Sequence, residues 1–219
     1  MAESKWDKEV DVLVAGTGAA GLTAAITAKH GGADTLIVES EAVWGGTTSW
    51  SGGGLWIPDN SLAKNRGFKD SEEEALQYMN EVIGFSGKSS SPERRKAYVQ
   101  NAKKAVDFLG EQGVDWFLST KYPDYYPEAP GGRAGGRALE SNPFNTKKLG
   151  DWRKTAGGET MGIPLPLRTD DVWLIMRAWS TWSGFFRGVK FFFRVMAGLI
   201  TGKRLRGFGY ALASHYFHI

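Results

Sequence analysis

The residues of this chain best suited to chemistry are three glycines and an acid. Gly16-Thr17-Gly18-Ala19-Ala20-Gly21 closes one apolar run, and Glu39 closes the next. In such a Gly-x-Gly-x-x-Gly turn, Gly16 permits the tight bend and Gly18 lets the backbone approach a pyrophosphate. Gly21 lets the following helix pack closely on its strand. That helix turns its unpaired N–H groups and positive dipole end toward the phosphates. Glu39 stands roughly 20 residues on, the usual spacing for an acid that accepts hydrogen bonds from a ribose diol. The set predicts a dinucleotide site.

A second glycine-rich stretch follows at once, Gly45-Gly46-Thr47-Thr48-Ser49-Trp50-Ser51-Gly52-Gly53-Gly54-Leu55-Trp56-Ile57-Pro58. Small hydroxyl residues between glycines leave backbone N–H groups exposed, in a concave surface suited to phosphate or flavin oxygens. A flexible linker has no use for Trp44, Trp50, Leu55, Trp56 and Ile57. A nicotinamide-binding domain has no need of this second cradle.

Further along, Tyr122, Tyr125 and Tyr126 sit in a proline-rich segment, as proton-relaying phenols or as packing aromatics. Arg133 and Arg137, set among glycines, suit a phosphate or a carboxylate, but surface solvation is the expectation. His215 and His218 are three apart on the chain, with no third ligand type beside them, so no metal site is expected.

The elements that must position these residues can be read from periodicity and caps. Residues 10–39 read as strand, helix and strand, the helix running from about Ala20 to His30 and stopping at Gly31-Gly32. Residues 40–58 form a loop. Ala75, Leu76, Met79 and Val82 mark an amphipathic helix that opens with a capping box at Ser71 and Glu74. Ser91-Pro92-Glu93 opens another helix, reaching about Gln112. Val114 to Leu118 is a short strand. Residues 119–171 read as loops crossing a ligand site rather than packed core. Residues 172–200 read as helical and strongly aromatic. After Leu212 the chain shows no helix-like apolar pattern.

Composition narrows the function classes. With 42% hydrophobic and 23% charged residues in 219, the chain is ordinary globular protein. A net charge of +3 argues for neither nucleic acid nor an acidic partner. The lack of cysteine excludes disulfides, thiolate metal sites and a cysteinyl flavin link. The N-terminal residues are polar, without an apolar leader, so a cytoplasmic location is expected. Arg187, Lys190 and Arg194 interrupt the apolar stretch 184–200, which falls short of the ~20 residues that span a bilayer. That stretch suits a membrane surface, or the face of a further domain.

Gly16-x-Gly18-x-x-Gly21, Glu39 and the stretch from Gly45 to Pro58 resemble the FAD-binding half of the fumarate reductase/3-ketosteroid dehydrogenase superfamily. Trp56-Ile57-Pro58 looks more like the 3-ketosteroid Δ1- and Δ4-dehydrogenases than the fumarate reductases, and the resemblance continues through Phe117 to Glu128 and Gly136-Arg137-Ala138-Leu139-Glu140. The resemblance covers roughly residues 8 to 150, and more loosely extends to about 212.

The resemblance implies an α/β, Rossmann-like FAD-binding domain over 8–150, with 151–219 leading into an α-rich substrate or cap region. It implies that Gly16, Gly18, Ala19, Ala20 and Gly21 carry the pyrophosphate, and that Glu39 holds the ribose beside Ser40. Gly46, Thr47, Thr48, Ser49, Ser51, Gly52, Gly53 and Gly54 would line the pyrophosphate and isoalloxazine. Some relatives tether flavin through a histidine in this loop; Ser49-Trp50-Ser51 has none, so FAD is expected to be non-covalent. Tyr125 matches the active-site tyrosine, and the implied reaction passes a hydride from a steroid ring carbon to flavin N5 and a proton to tyrosine. Such enzymes are more than twice as long and carry a second tyrosine base later in the chain. The expectation is therefore a truncated, catalytically incomplete N-terminal fragment. A non-catalytic nucleotide-binding fragment and a fumarate reductase-like flavoprotein stand as alternatives.

Overall fold

The structure, a computed structural model, describes residues 6–84, 87–157, 168, 171, 182–201, 203–204 and 207–218. Strand β1 (Val12–Ala15) runs through the glycine turn into helix α1 (Ala19–His30), and β2 (Thr35–Val38) follows. The two strands are parallel, with Val12 opposite Thr35 and Ala15 opposite Val38. The helix ends where glycine was expected to stop it: Gly31 donates to Thr27 O at 3.0 Å and Gly32 takes a positive φ of 88°. Leu22, Ala25 and Ile26 form the buried face of α1. Leu13 is 62% exposed and Val38 44%, so this strand pair still presents apolar side chains to solvent.

A second sheet holds β3 (Leu55–Trp56), β4 (Trp116–Leu118) and β5 (Ala138–Ser141), antiparallel in the order β3-β5-β4. Beside it lie α2 (Ser61–Lys64), α3 (Glu72–Val82) and α4 (Pro92–Glu111). Both long helices start on serine caps. Ser71 Oγ accepts from the Glu74 N–H at 3.2 Å, and Ser91 Oγ from that of Arg94 at 3.4 Å. Each such cap contributes about 1 kcal/mol. Ile57, Ala63, Val106, Leu118 and Leu139 form the core between this sheet and its helices. The central strand β5 lies inside the region expected to be loop. Leu139 is fully buried, and pairing on both edges holds the strand despite its glycine- and proline-rich surroundings.

The last part contains β6 (Phe144–Asn145), a kinked 3-10 segment (Thr146–Thr155), α5 (Trp182–Thr201), β7 (Lys203–Arg204) and α6 (Gly207–His218). The expected helix over 172–200 is described only from Trp182; residues 172–181 lie outside the described residues. Helix α6 corrects the reading of the C-terminal residues as non-helical. Tyr210, Leu212 and Ala213 are buried against Leu22 and Ile26 of α1, with Trp44, Leu109, Leu149 and Ala156 around them. Ala211, Tyr216 and Phe217 are half-buried in the same cluster. A helix apolar on nearly every side shows little periodicity, which hides it from a pattern search.

Candidate functional site

The glycine turn has the backbone its residues foreshadow. Gly16 takes φ 97°, and its N–H donates to Val38 O at 2.7 Å, tying the turn to the end of β2. A Cβ on Gly21 would lie 2.0 Å from Gly16 O, so only glycine lets α1 approach the strand this closely. Above Gly16, Gly52 and Gly54 the space is open: a Cβ on any of them meets nothing within 4 Å. Helix α1 has no side-chain cap at Gly18. Its first donors, the N–H groups of Gly18, Ala20 and Gly21, have no hydrogen-bond partner among the described residues. Uncapped first-turn donors are what an anion needs from a helix N-terminus. Ala19 differs, since its N–H donates to Thr48 Oγ1 at 3.0 Å.

That bond brings the second glycine loop onto the first. Gly46 opens a 3-10 turn over Gly46–Ser49 with φ 50°, and its Cβ position lies 3.2 Å from Gly18 Cα. Ser49 is buried and donates to Gly46 O at 2.8 Å, while Ser51 Oγ accepts from the Gly53 N–H at 3.0 Å. Gly46, Thr47, Ser51, Gly52 and Gly54 are exposed, Thr48 is half-buried and Gly53 is buried. Helix α6 backs the loop, with Gly209 against Thr48 and Ser49.

Thr17, which nothing in the sequence singled out, joins the two loops to Glu39. Its N–H donates to Glu39 Oε2 at 3.0 Å, and its hydroxyl donates to the same oxygen. The same hydroxyl accepts from the Gly45 N–H at 2.8 Å. Glu39 Oε1 accepts from the N–H groups of Ser40 and Glu41 at 2.9 and 3.2 Å. The Thr17 hydroxyl, then the backbone donors of Thr17 and Glu41, pull the Glu39 carboxyl down to about 2. Glu39 is therefore an anion across the working pH range, a fixed acceptor for hydroxyl groups.

A second constellation lies where three separate segments meet at Asp124. Trp56 Nε1 donates to Asp124 Oδ1 at 2.7 Å, and Arg137 donates to Asp124 Oδ2 at 2.9 Å. Arg137 also grips Asp70 with two bonds, Nε at 2.9 Å and a terminal nitrogen at 2.7 Å. The expected surface position of Arg137 is wrong. It is 1% exposed, because two carboxylates and the Gly131 carbonyl satisfy its fork. Burial opposes its charge, but Asp70 and Asp124 outweigh that and raise its pKa. Its guanidinium also lies 5.4 Å from the Trp56 ring centre and 5.8 Å from that of Tyr78. Arg133 likewise pairs with Asp70 and Glu74 rather than standing free.

The tyrosine loop is pinned at both flanks of Tyr125: Asp124 as above, and Tyr126, whose N–H donates to Tyr78 Oη at 3.2 Å. Tyr125 itself points its ring into solvent, 89% exposed. His215 Nε2 faces Gln112 Oε1 at 2.9 Å, and the His218 side chain lies outside the described residues. Among the described residues no three potential ligands gather around a metal position.

The family model described as FAD binding domain matches residues 11–208, which takes in both glycine loops, Glu39 and the Asp124 junction. The chain belongs to this FAD-binding family. Its architecture, a parallel sheet with helices opening on a glycine turn, is the Rossmann-like arrangement of such domains. The open room over Gly16, Gly52 and Gly54, the free donors of α1 and the ionised Glu39 all fit FAD, the cofactor of the family. The 3-oxosteroid 1-dehydrogenase of Mycobacterium tuberculosis (strain H37Rv) is 40% identical over 210 residues, 94% of this chain and 36% of that protein. That of Mycolicibacterium smegmatis is 36% identical over 208 residues, again 36% of its length. The crystal structure of 3-ketosteroid delta1-dehydrogenase from Sterolibacterium denitrificans, in complex with 1,4-androstadiene-3,17-dione, superposes with a TM-score of 0.78 at 29% identity. It covers 95% of this chain and 38% of that one. The chain thus spans about a third of the length of these relatives.

Proposed function

We propose that this chain forms the FAD-binding part of a flavin-dependent 3-ketosteroid dehydrogenase. The observation that carries the reading is the Asp124 junction, which fastens the tyrosine loop to Trp56, two residues beyond the second glycine cradle. The three segments meeting there are those whose residues resemble the steroid dehydrogenases.

In this reading the pyrophosphate lies over Gly16, Gly18, Ala19, Ala20 and Gly21, with Gly18, Ala20 and Gly21 donating. Glu39 accepts from the ribose, with Ser40 beside it. Gly46, Thr47, Thr48, Ser49, Ser51, Gly52, Gly53 and Gly54 line the remainder, and the absence of histidine from Ser49-Trp50-Ser51 makes the cofactor non-covalent. Bound FAD supplies a hydride acceptor for the ring carbon next to a ketone-activated position. Tyr125 Oη would relay the proton of the activated carbon, accepting it as its own phenolic proton passes to the water around its exposed ring, and the Asp124 and Tyr126 contacts hold its backbone in place. Residues 8–150 carry the nucleotide, and 151–219 begin an α-rich region that serves the substrate in the cytoplasm.

The 89% exposure of Tyr125 favours a second reading, FAD binding without turnover by this chain, because nothing among the described residues encloses a substrate at its ring. An assay with FAD, 4-androstene-3,17-dione and an artificial electron acceptor separates the two. Dehydrogenation predicts acceptor reduction that needs both FAD and steroid and is lost in Tyr125→Phe. Bound flavin that steroid leaves unreduced supports the second reading. Bound flavin that is reduced with dithionite and reoxidised by fumarate, with no response to steroid, would overturn both.

A further inference from the structure

Helix α5 is built inside out for a helix that is finished by this fold. Of its three glycines, Gly184 and Gly198 are buried and Gly188 is half-buried, while Trp182 is 81% exposed. Phe185, Phe186, Phe192, Phe193, Met196 and Ile200 are between 43% and 73% exposed. At about 100° per residue these side chains, with Val189, fall within one stripe roughly 120° wide. Lys190 borders the stripe and is exposed, and Arg194 stands beyond it, paired with Asp171. A continuous apolar stripe of this size on a folded surface marks a contact surface.

The charge pattern says which kind. From Val172 to Ile219 there is no aspartate or glutamate, while Arg177, Arg187, Lys190, Arg194, Lys203, Arg204 and Arg206 all fall in that span. The rest of the chain therefore holds every acidic residue, and this segment is uniformly cationic. No helix among the described residues is long and apolar enough to cross a membrane. Aromatic rings along one face, cations beside them and no acids describe a helix that lies in the plane of a bilayer interface.

We propose that α5 docks this protein on an anionic lipid surface, sinking its Trp182–Ile200 stripe among the acyl chains while Lys190 and its cationic neighbours meet the headgroups. The surface owes nothing to the flavin reading, and its test involves neither cofactor nor steroid turnover. The full chain is floated with vesicles of phosphatidylcholine alone and of phosphatidylcholine with phosphatidylglycerol. Flotation keeps aggregates at the bottom of the gradient. The chain should rise with the anionic vesicles, at least tenfold less with the neutral ones, and should be released by salt. Phe186→Asp with Phe193→Asp should abolish flotation without altering the melting temperature, because both side chains are already in water. Lys190→Glu should weaken flotation several-fold. Three results would overturn the proposal: no flotation on anionic vesicles; flotation that the double variant retains; or a dimer of the wild-type chain that the double variant dissolves, with no vesicle binding.

Discussion

Trp56 and Asp124 are 68 positions apart, and the indole N–H of one donates to the carboxylate of the other at 2.7 Å. Through this bond the second glycine loop and the tyrosine loop become one structural unit. The same carboxylate faces Arg137, which also spans Asp70, so strand β5, the tyrosine loop and the approach to α3 share a single buried ionic knot. A knot of this kind locks geometry more than it adds stability. Breaking it by removing one partner leaves a buried charge short of its counter-charge.

Arg137→Met should therefore cost about 3–5 kcal/mol in urea denaturation, because it leaves buried Asp124 without a cation and Asp70 with Arg133 alone. Asp124→Asn is milder globally but should speed tryptic cleavage after Lys121 and Arg133, since it loosens the loop there. A cost below about 1 kcal/mol for Arg137→Met would show that the knot is not closed in solution.

Glu39 sets a defined acid response. Its carboxyl is held at about 2 against an ordinary 4.5, so the unfolded chain takes up that proton at higher pH than the folded one. The stabilisation is complete above about 4.5 and is lost as pH falls toward about 2. Asp59 and Asp70 are also lowered, so the wild-type acid transition is composite. Comparison with Glu39→Gln isolates the share of Glu39. Melting midpoints should favour the wild type at pH 6, with the gap narrowing by pH 3. A gap independent of pH would mean that Glu39 is not held as described.

Helix α6 is a core element rather than a loose end. Tyr210 is 2% exposed, lies 5.8 Å from the Trp44 ring and donates to Gly157 O at 3.2 Å. Tyr210→Ala should destabilise by about 3–5 kcal/mol, and Leu212→Ala by about 2–5, read from chemical denaturation. If both cost under about 1 kcal/mol, α6 does not pack on α1.

The parts legible in the sequence were those whose signals are local. The β1–α1–β2 unit announces itself through apolar runs on either side of a glycine turn, and α3 and α4 through Ser71 and Ser91 at their starts. What escaped was set by distant partners. Arg137 looked solvated because its neutralising acids lie 67 and 13 positions away. Thr17 occupies an unspecified position of the glycine motif, and its role exists only once Glu39 and Gly45 are folded against it. Strand β5 was hidden by glycine and proline around it, and α6 by being apolar almost all round.

We propose that the two glycine loops and Glu39 form one FAD cradle. A titration of the purified chain with FAD, followed by quenching of flavin fluorescence, tests it most directly. Saturable uptake of one FAD per chain is predicted, weakened about tenfold, or about 1.4 kcal/mol, in Glu39→Gln. Gly21→Val should abolish uptake, because its side chain would collide with Gly16 O, whereas Gly84→Ala, in open space, should leave uptake unchanged. A folded wild-type chain that takes up no FAD, or equal uptake by Gly21→Val, would contradict the account.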